Sequence, residues 1–422
     1  RSTALLARWL EERRSEAETL FGSIPRPTGD DPAPSPRVTA NDAVRQAFHD
    51  ALMAAVPENE EVWTAEQRAR AVLARLQFFY RREERPMWWR YFETLRYGPE
   101  ELLEDSETIG GLELEGEDAD HWYFRFDPEQ EYKRRVGDHV ADSRTGKGVG
   151  NLTTLDPGEA RLSIKRQHHA VPPSIGLMQV PMANSGVLES ALQHVASVVA
   201  GREQVIGDGH FAAVRHLLSR AAAWDADEHT EVSDSSMLAR TRALRLHGQY
   251  LAVQGPPGTG KTSTGVRMVA DLIAQGRVVG ITALSHAVIR HLLEAAVAEC
   301  RRRSIPCAAV QKVSSDGQGT TMTGVLVTDN NAKIEEGLED GRFNLVAATA
   351  YLFARPALEE GVDVLIVDEA GQMTLANTVA AATAARSLVL LGDPQQLAQP
   401  VQGTHPPGAA VSALEHVLQG RP

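Results

Sequence analysis

The spacing of apolar positions changes several times along the 422-residue chain. Residues 4–20 have helical spacing and predict a short helix. Residues 22–39, GSIPRPTGDDPAPSPRVT, hold five prolines and no periodic apolar positions, which predicts an extended or disordered linker. From Asn41 to about Tyr97 the pattern is helical, with Val72, Leu76 and Phe79 recurring on one face. Pro86 is expected to end one helix and open the next, because proline cannot donate in a helix interior but fits a first turn. Residues 121–166 switch to period two. HWYFRFD sets Trp122, Phe124 and Phe126 against polar neighbours, and ARLSIKR does the same with Leu162 and Ile164. VGDHVAD and TGKGVGNLTTLD read as short strands joined by glycine-rich turns. Four or five such strands predict a small β-barrel. Helical spacing returns in SGVLESALQHVASVVA, with Val187, Leu188, Ala191, Leu192, Val195 and Val199 along one face, and WDADEHTEVSDSS (224–236) reads as an acidic linker. From Tyr250 onward short apolar runs at 250–253, 277–281, 343–348, 362–367 and 387–391 alternate with helical segments. That alternation predicts a parallel sheet covered on both faces.

The implied organisation has five parts: a short helix and proline-rich linker (1–39), stalk helices (40–108), a small β-barrel (109–183), returning stalk helices with the acidic linker (184–236), and an α/β domain (237–422). Composition adds bounds. A hydrophobic content of 42% with 23% charged residues fits a globular protein. There is no apolar run long enough to span a bilayer, so no membrane partner is expected. Cys300 and Cys307 are the only cysteines. Two thiols make neither a disulfide framework nor a zinc site and fit a reducing cytoplasm. The net charge of −13 argues against wrapping nucleic acid with the whole surface, but leaves room for a local basic groove. Only 6 of the 43 cationic side chains are lysines, and arginine forks suit planar phosphate recognition. The chain opens on Arg1 and ends in QGRP, which suggests a piece of a longer protein.

The chemistry concentrates in three segments. GPPGTGKT (255–262) matches G-x-x-x-x-G-K-[ST] between a strand, YLAVQ, and a helix, the context that motif needs. Gly255, Gly258 and Gly260 let the backbone curl so that N–H groups face a phosphate, with Pro256, Pro257 and Thr259 completing the loop. The helix N-terminus adds free donors and partial positive charge. Lys261 is expected to reach the β- and γ-phosphates of ATP, and Thr262 to hold Mg²⁺. In VLIVDEAGQ (364–372) a buried strand ends in Asp368, a second expected Mg²⁺ ligand, and Glu369, an expected general base for the attacking water. LVLLGDPQQLAQP (388–400) brings a further strand end to the same place. Gln396 is the candidate to sense the γ-phosphate, with Gln372 as its neighbour, whereas Gln395 and Gln399 read as loop caps.

In this order GPPGTGKT, VDEAGQ and LLGDPQQL resemble superfamily 1 helicases, in the branch of the nonsense-mediated decay helicase and the replication helicase–nucleases. The match covers about residues 250–419. It implies a P-loop NTPase with a RecA-like parallel sheet, preceded by a helical stalk carrying the barrel. TALSHAVIRHLL (282–293) resembles a motif that touches the nucleic-acid backbone, which implies contacts from Thr282, Ser285 and His286; His286 reads equally well as a helix cap. VAATAYLFAR (346–355) resembles the next such motif, with Thr349 as the contact. EDSETIGGLELEG, YFRFDPEQEYKRRVGD, DEAGQMTLAN and LLGDPQQLAQPVQGTHPPG resemble a bacterial family in which a RecB-like nuclease domain precedes the helicase. The resemblance implies an ATP-dependent 5′-to-3′ DNA helicase or translocase acting on single-stranded DNA, with RNA left open. It also implies a second RecA-like domain after Pro422 and a nuclease domain before Arg1. Without the second domain the piece is expected to hydrolyse ATP poorly, since a transition-state arginine contributes about 10³–10⁵ in rate. The alternative is an ATP-gated nucleic-acid-binding remodelling module without strand separation; a third reading is a nuclease whose ATPase only loads substrate.

Three further features read as structure. LQFFYRREERPMWWRYF mixes aromatics with arginines and reads as stalk packing ahead of base stacking. The basic run in CRRRSIPC reads as a solvated helix end. His168 and His169 lack partners at metal spacing.

Overall fold

The computed structural model describes residues 36–167, 170–180, 185–202, 209–221, 234–314, 317–396 and 399–418. The expected helix at 4–20, most of the proline-rich and acidic linkers, His168–His169 and the final QGRP lie outside the described residues. The chain divides into two compact units, 1–46 and 47–422. The described part of the first is the opening of helix α1 (Pro36–Met53), which starts inside the range read as linker.

In the second unit α2 (Ala65–Leu76), α3 (Phe79–Thr94) and α4 (Pro99–Glu104) lead to seven strands: β1 (Thr108–Gly110), β2 (Glu113–Glu117), β3 (His121–Arg125), β4 (His139–Asp142), β5 (Gly148–Asp156), β6 (Arg161–Arg166) and β7 (Gly176–Gln179). They pair antiparallel in the order β1-β7-β4-β5-β6-β3-β2. Seven strands replace the four or five expected, and among the described residues no ladder joins β1 to β2. The period-two reading accounts for the core. Trp122, Phe124, Leu162 and Ile164 are almost fully buried in one cluster, while Tyr123 between the first two is exposed. β1 and β2 were illegible because TIG is only three residues long and ELEGE is solvent-facing with a register shift between Leu114 and Gly116. The sheet hangs on α3 through the Tyr91 hydroxyl, which donates to the Gly146 carbonyl at 2.6 Å.

Pro86 does not divide a helix. α3 runs through it from Phe79 to Thr94. A proline at this position leaves the carbonyl four residues earlier, that of Arg82, without its helical donor. The Arg82 carbonyl lies so close to Gly403 that a Cβ there would sit 2.4 Å from its oxygen. The neighbouring Glu83 carboxylate accepts from the Gln402 and Gly403 amides at 3.2 and 3.0 Å and pairs with His405 Nε2 at 2.6 Å. Packing of the 402–405 loop onto α3 thus holds the interrupted turn. The aromatic run on α3 is mixed: Phe79 and Tyr80 are buried as expected, but Trp89 is 68% exposed.

After the first sheet come α5 (Gly186–Val199), α6 (Ala212–Ser219) and α7 (Ser235–Leu244). Then follow β8 (Tyr250–Gln254), α8 (Lys261–Ala274), β9 (Val279–Thr282), α9 (His286–Arg302), β10 (Ala309–Lys312), β11 (Val325–Thr328), α10 (Asn331–Glu339), β12 (Leu345–Ala347), α11 (Ala350–Phe353), β13 (Val362–Val367), α12 (Leu375–Ala382), β14 (Ala385–Gly392) and α13 (Ala413–Leu418). These strands form one parallel sheet, β11-β10-β12-β9-β13-β14-β8. Both faces are covered, as the continuous apolar runs require. Val364 and Ile366 face the cluster made with α8 and α9, whereas Leu365 and Val367 face the opposite one. The second cluster also takes in Leu73 and Leu76 of α2, Leu188, Leu192 and Val195 of α5, and Leu217 of α6. The stalk helices therefore share a core with one face of the sheet. The basic run at the end of α9 is paired: Arg302 bridges Glu299 and Arg303 bridges Asp271, each at 2.8 Å.

Candidate functional site: a phosphate loop and two strand ends

Parallel pairing brings four strand ends to one edge. Thr282 stands opposite Val367 and Gly392 opposite Gln254, so the segments that follow β8, β13 and β14 emerge side by side. One cavity of about 620 Å³ is lined there by Pro257, Gly258, Gly260, Lys261 and Thr262, by Asp368 and Glu369, and by Gly392, Asp393 and Gln396. The three motifs, separated by up to 139 residues, meet in it. Gly255, Pro256 and Thr259 of the loop and Gln372 of the second motif do not line the cavity.

The loop geometry needs its glycines at specific places. Gly258 and Gly260 hold φ of 81° and 84°, in the left-handed region that side chains disfavour. A Cβ on Gly255 would lie 2.7 Å from Thr259 Oγ1, which donates to the Pro256 carbonyl at 2.8 Å. Lys261 Nζ donates to the carbonyls of Gly255 and Pro256, the latter at 2.9 Å. The cation is thus held in the mouth of the loop by neutral acceptors, poised for an anion.

Asp368 is 8% exposed. Burial pushes its carboxyl above the usual range and the Glu369 carboxylate adds to this, while the Glu369 amide, donating at 3.0 Å, and the charges of His291 and Lys261 oppose it. A buried carboxylate in this state gains strongly from a cation. Thr262 and Asp368 line the same cavity and form a hydroxyl–carboxylate donor set that suits Mg²⁺. Glu369 has φ of +52°, a rare conformation for a residue with a side chain. The amides of Gln372 and Met373 hold its carbonyl at 2.8 and 3.3 Å, and the next amide, Ala370, donates to Leu391 at 2.8 Å, pinning the turn against β14. Such strain, stabilised by surrounding contacts, is found at reactive sites.

The two candidate amides are in contact: Gln372 Nε2 donates to Gln396 Oε1 at 3.3 Å. The backbone N–H of Gln395, not its side chain, donates to Asp393 Oδ1 at 2.9 Å. The Gln399 Oε1 is buried and has no hydrogen-bond partner among the described residues. His291, missed in the sequence reading, also lines the cavity, as do Ala287 and Val288. His291 lies in the second turn of α9, four residues after Ala287 and three after Val288, so the three share the helix face that lines the cavity.

The expected nucleic-acid contacts do not line this cavity. Thr282 is fully buried and its hydroxyl has no partner among the described residues, so a strand lying on the surface of this conformation does not reach it. Its carbonyl accepts from the Asp368 amide at 2.9 Å. Ser285, rather than His286, is the cap of α9, its hydroxyl accepting from Val288 at 3.3 Å. His286 occupies the first helical position, with Nδ1 buried and without a partner among the described residues, and its pKa lowered by burial and by Lys312. Thr349 precedes α11 without capping it and is half-buried.

Residues 231–406 match a family model described as AAA domain. A segment of 178 residues is 29% identical to the Arabidopsis thaliana protein called DNA replication ATP-dependent helicase/nuclease JHS1, covering 41% of this chain and 13% of that protein. The chain thus spans about an eighth of the curated relative it matches. Among solved structures, it overlaps a nuclease-deletion mutant of the Type ISP restriction-modification enzyme LlaGI in complex with a DNA substrate mimic (14% identity, TM-score 0.29, 40% of this chain and 18% of that one). It also overlaps the Arterivirus nonstructural protein 10 (helicase) with DNA (13% identity, TM-score 0.31, 79% and 53%). No helix among the described residues is long and apolar enough to cross a membrane.

Proposed function

We propose that this chain is the nucleotide-hydrolysing part of an ATP-dependent DNA helicase or translocase of superfamily 1, moving 5′ to 3′ on single-stranded DNA. The observation that carries the reading is the single cavity in which the phosphate loop, the Asp368–Glu369 strand end and the Gln396 strand end meet. The similarity to part of a helicase/nuclease supports it.

In this reading the amides and left-handed glycines of 255–262 cradle the ATP phosphates, and Lys261 leaves the Gly255 and Pro256 carbonyls to neutralise them. Mg²⁺, held by Thr262 and Asp368, would supply charge neutralisation for the phosphates. Glu369 accepts the proton of the attacking water. Gln372 and Gln396 exchange their mutual hydrogen bond for contacts that depend on the γ-phosphate. Ser285, His286 and Thr349 remain the proposed contacts to the nucleic-acid backbone, and Thr282 joins them only if the end of β9 opens. The remaining parts of the proposal are a second RecA-like domain that closes the ATP site, a RecB-like nuclease domain in the same parent protein, and residence in a reducing cytoplasm.

The test is strand displacement by the full-length parent protein on duplexes with a 5′ or a 3′ single-stranded tail. Unwinding from the 5′ tail, dependent on Mg·ATP and lost in Lys261→Ala, is expected. Hydrolysis without displacement from either tail would replace the helicase by a remodelling module.

A further inference from the structure

At the opposite edge of the parallel sheet, ahead of β13, three residues from distant parts of the sequence converge. His194 comes from α5, His210 from the turn before α6, and Glu359 from the turn after the short 3₁₀ segment Pro356–Leu358. His194 Nδ1 lies 3.3 Å from Glu359 Oε2 and His210 Nε2 lies 2.7 Å from Glu359 Oε1. One ligand atom from each residue falls within 4.8 Å of the others. Tetrahedral zinc, with bonds of about 2.0–2.2 Å to nitrogen and oxygen, places its ligand atoms roughly 3.3 Å apart, so small rotations of these side chains enclose one ion.

A second observation points to a metal rather than a simple ion pair. The other nitrogen of His210, Nδ1, faces a different carboxylate, Glu360 Oε1, at 3.6 Å. A metal-binding histidine characteristically has a carboxylate on its far nitrogen, which fixes the tautomer and raises the basicity of the ligating one. The support is apolar and stiff. Phe211 is 1% exposed, lies 4.0 Å from the His210 ring centroid and 5.2 Å from that of His194, and with Glu360 holds a left-handed backbone on either side of the cluster. The three side chains are 18–34% exposed, so an ion has a route in and room for a water ligand.

We infer that His194, His210 and Glu359 form a zinc site. A set of two imidazoles and one carboxylate is one that zinc favours. Bound there, the ion ties α5, on the return from the antiparallel sheet, to the turn that feeds β13, the strand ending in Asp368 and Glu369. The site stands independently of the nucleotide reading.

The experiment is titration of the metal-stripped protein, without nucleotide, with Co²⁺ followed by its visible absorption, and competition by Zn²⁺. Saturable binding of one equivalent, displaced by Zn²⁺, is expected. His210→Gln and Glu359→Gln should each weaken it by about tenfold or more, and Zn²⁺ should raise the melting temperature of the wild type but not of Glu359→Gln. Circular dichroism of the stripped variants checks that they fold. Should one fail to fold, diethylpyrocarbonate labelling of the wild type replaces it: Zn²⁺ should protect His194 and His210. Absent saturable binding, binding that survives both substitutions, a thiolate-to-cobalt charge-transfer band placing the ion at Cys300 and Cys307, or labelling unchanged by Zn²⁺ would each overturn the assignment.

Discussion

Replacing Gly371 by alanine tests whether the apposition of two strand ends builds the site. Gly371 follows Glu369 by two residues. A Cβ placed on it would lie 2.4 Å from the carbonyl oxygen of Asp393 and 3.3 Å from that residue's carbonyl carbon. Ordinary contact begins near 3.4 Å, so the two backbones must part by about 1 Å. The segments cannot yield separately. Ala370 is bonded to Leu391 at 2.8 Å, and a Cβ on Gly392 would in turn lie 2.8 Å from the Gly371 nitrogen. Overpacking of this kind costs about 1–3 kcal/mol. A displacement of about 1 Å between groups that must act on one substrate costs roughly 10²-fold in rate. Urea unfolding of this chain and steady-state ATP hydrolysis by the full-length parent protein measure the two effects. Gly408→Ala is the comparison, because Gly408 has open space around its missing side chain, and its φ of 78° gives that variant a backbone cost without any clash. Both variants should lose some stability, and only Gly371→Ala should lose turnover by about two orders of magnitude. Equal turnover in the two variants would refute the argument that close contact between the strand ends positions Glu369.

Asp368→Asn should abolish Mg²⁺-dependent hydrolysis yet stabilise the metal-free protein. The carboxyl titrates above its ordinary value, chiefly through burial, so the ionised form costs stability as pH rises above 3.8 and through the raised native value; urea midpoints should favour the variant at pH 8 and converge with the wild type on acidification. Gln372→Ala and Gln396→Ala should each lower hydrolysis while leaving fluorescent-nucleotide binding nearly unchanged. Their double mutant should fall short of additivity by about 0.5–3 kcal/mol, and full additivity would mean that their contact has no role. Glu83→Gln should loosen the 402–405 loop, since its carboxylate holds two amides and His405. A loss of about 1–3 kcal/mol in urea unfolding and faster amide exchange at Gln402 and Gly403 are expected, and unchanged exchange would contradict the docking of that loop on α3.

The candidate site was legible because its parts are local. Each motif is a buried strand running directly into its polar residues, and a parallel sheet must bring such ends to one edge. Two strands of that sheet were not legible. β10, AVQK, buries Gln311 completely, its Oε1 accepting from Thr320 at 2.8 Å, and so reads as polar. The edge strand β11, VLVT, offers an apolar run of only three residues, and all four of its residues are only partly buried. Pro86 misled because its local rule is overridden by a loop more than 300 residues away. The same distance hid Glu83 and His405, while His194, His210 and Glu359 share no spacing that a sequence displays. The cap of α9 at Ser285 instead of His286 follows the ordinary preference of helix starts for a short hydroxyl side chain.

ATP hydrolysis by the full-length parent protein, with and without single-stranded DNA or RNA and beside Lys261→Ala, decides whether this chain drives a nucleic-acid motor. Mg²⁺-dependent hydrolysis stimulated by single-stranded DNA is expected, reduced by about 10² or more in the variant, which loses the cation held at the mouth of the loop. Hydrolysis that runs equally fast without nucleic acid would contradict the motor reading, and hydrolysis untouched by Lys261→Ala would contradict the site itself.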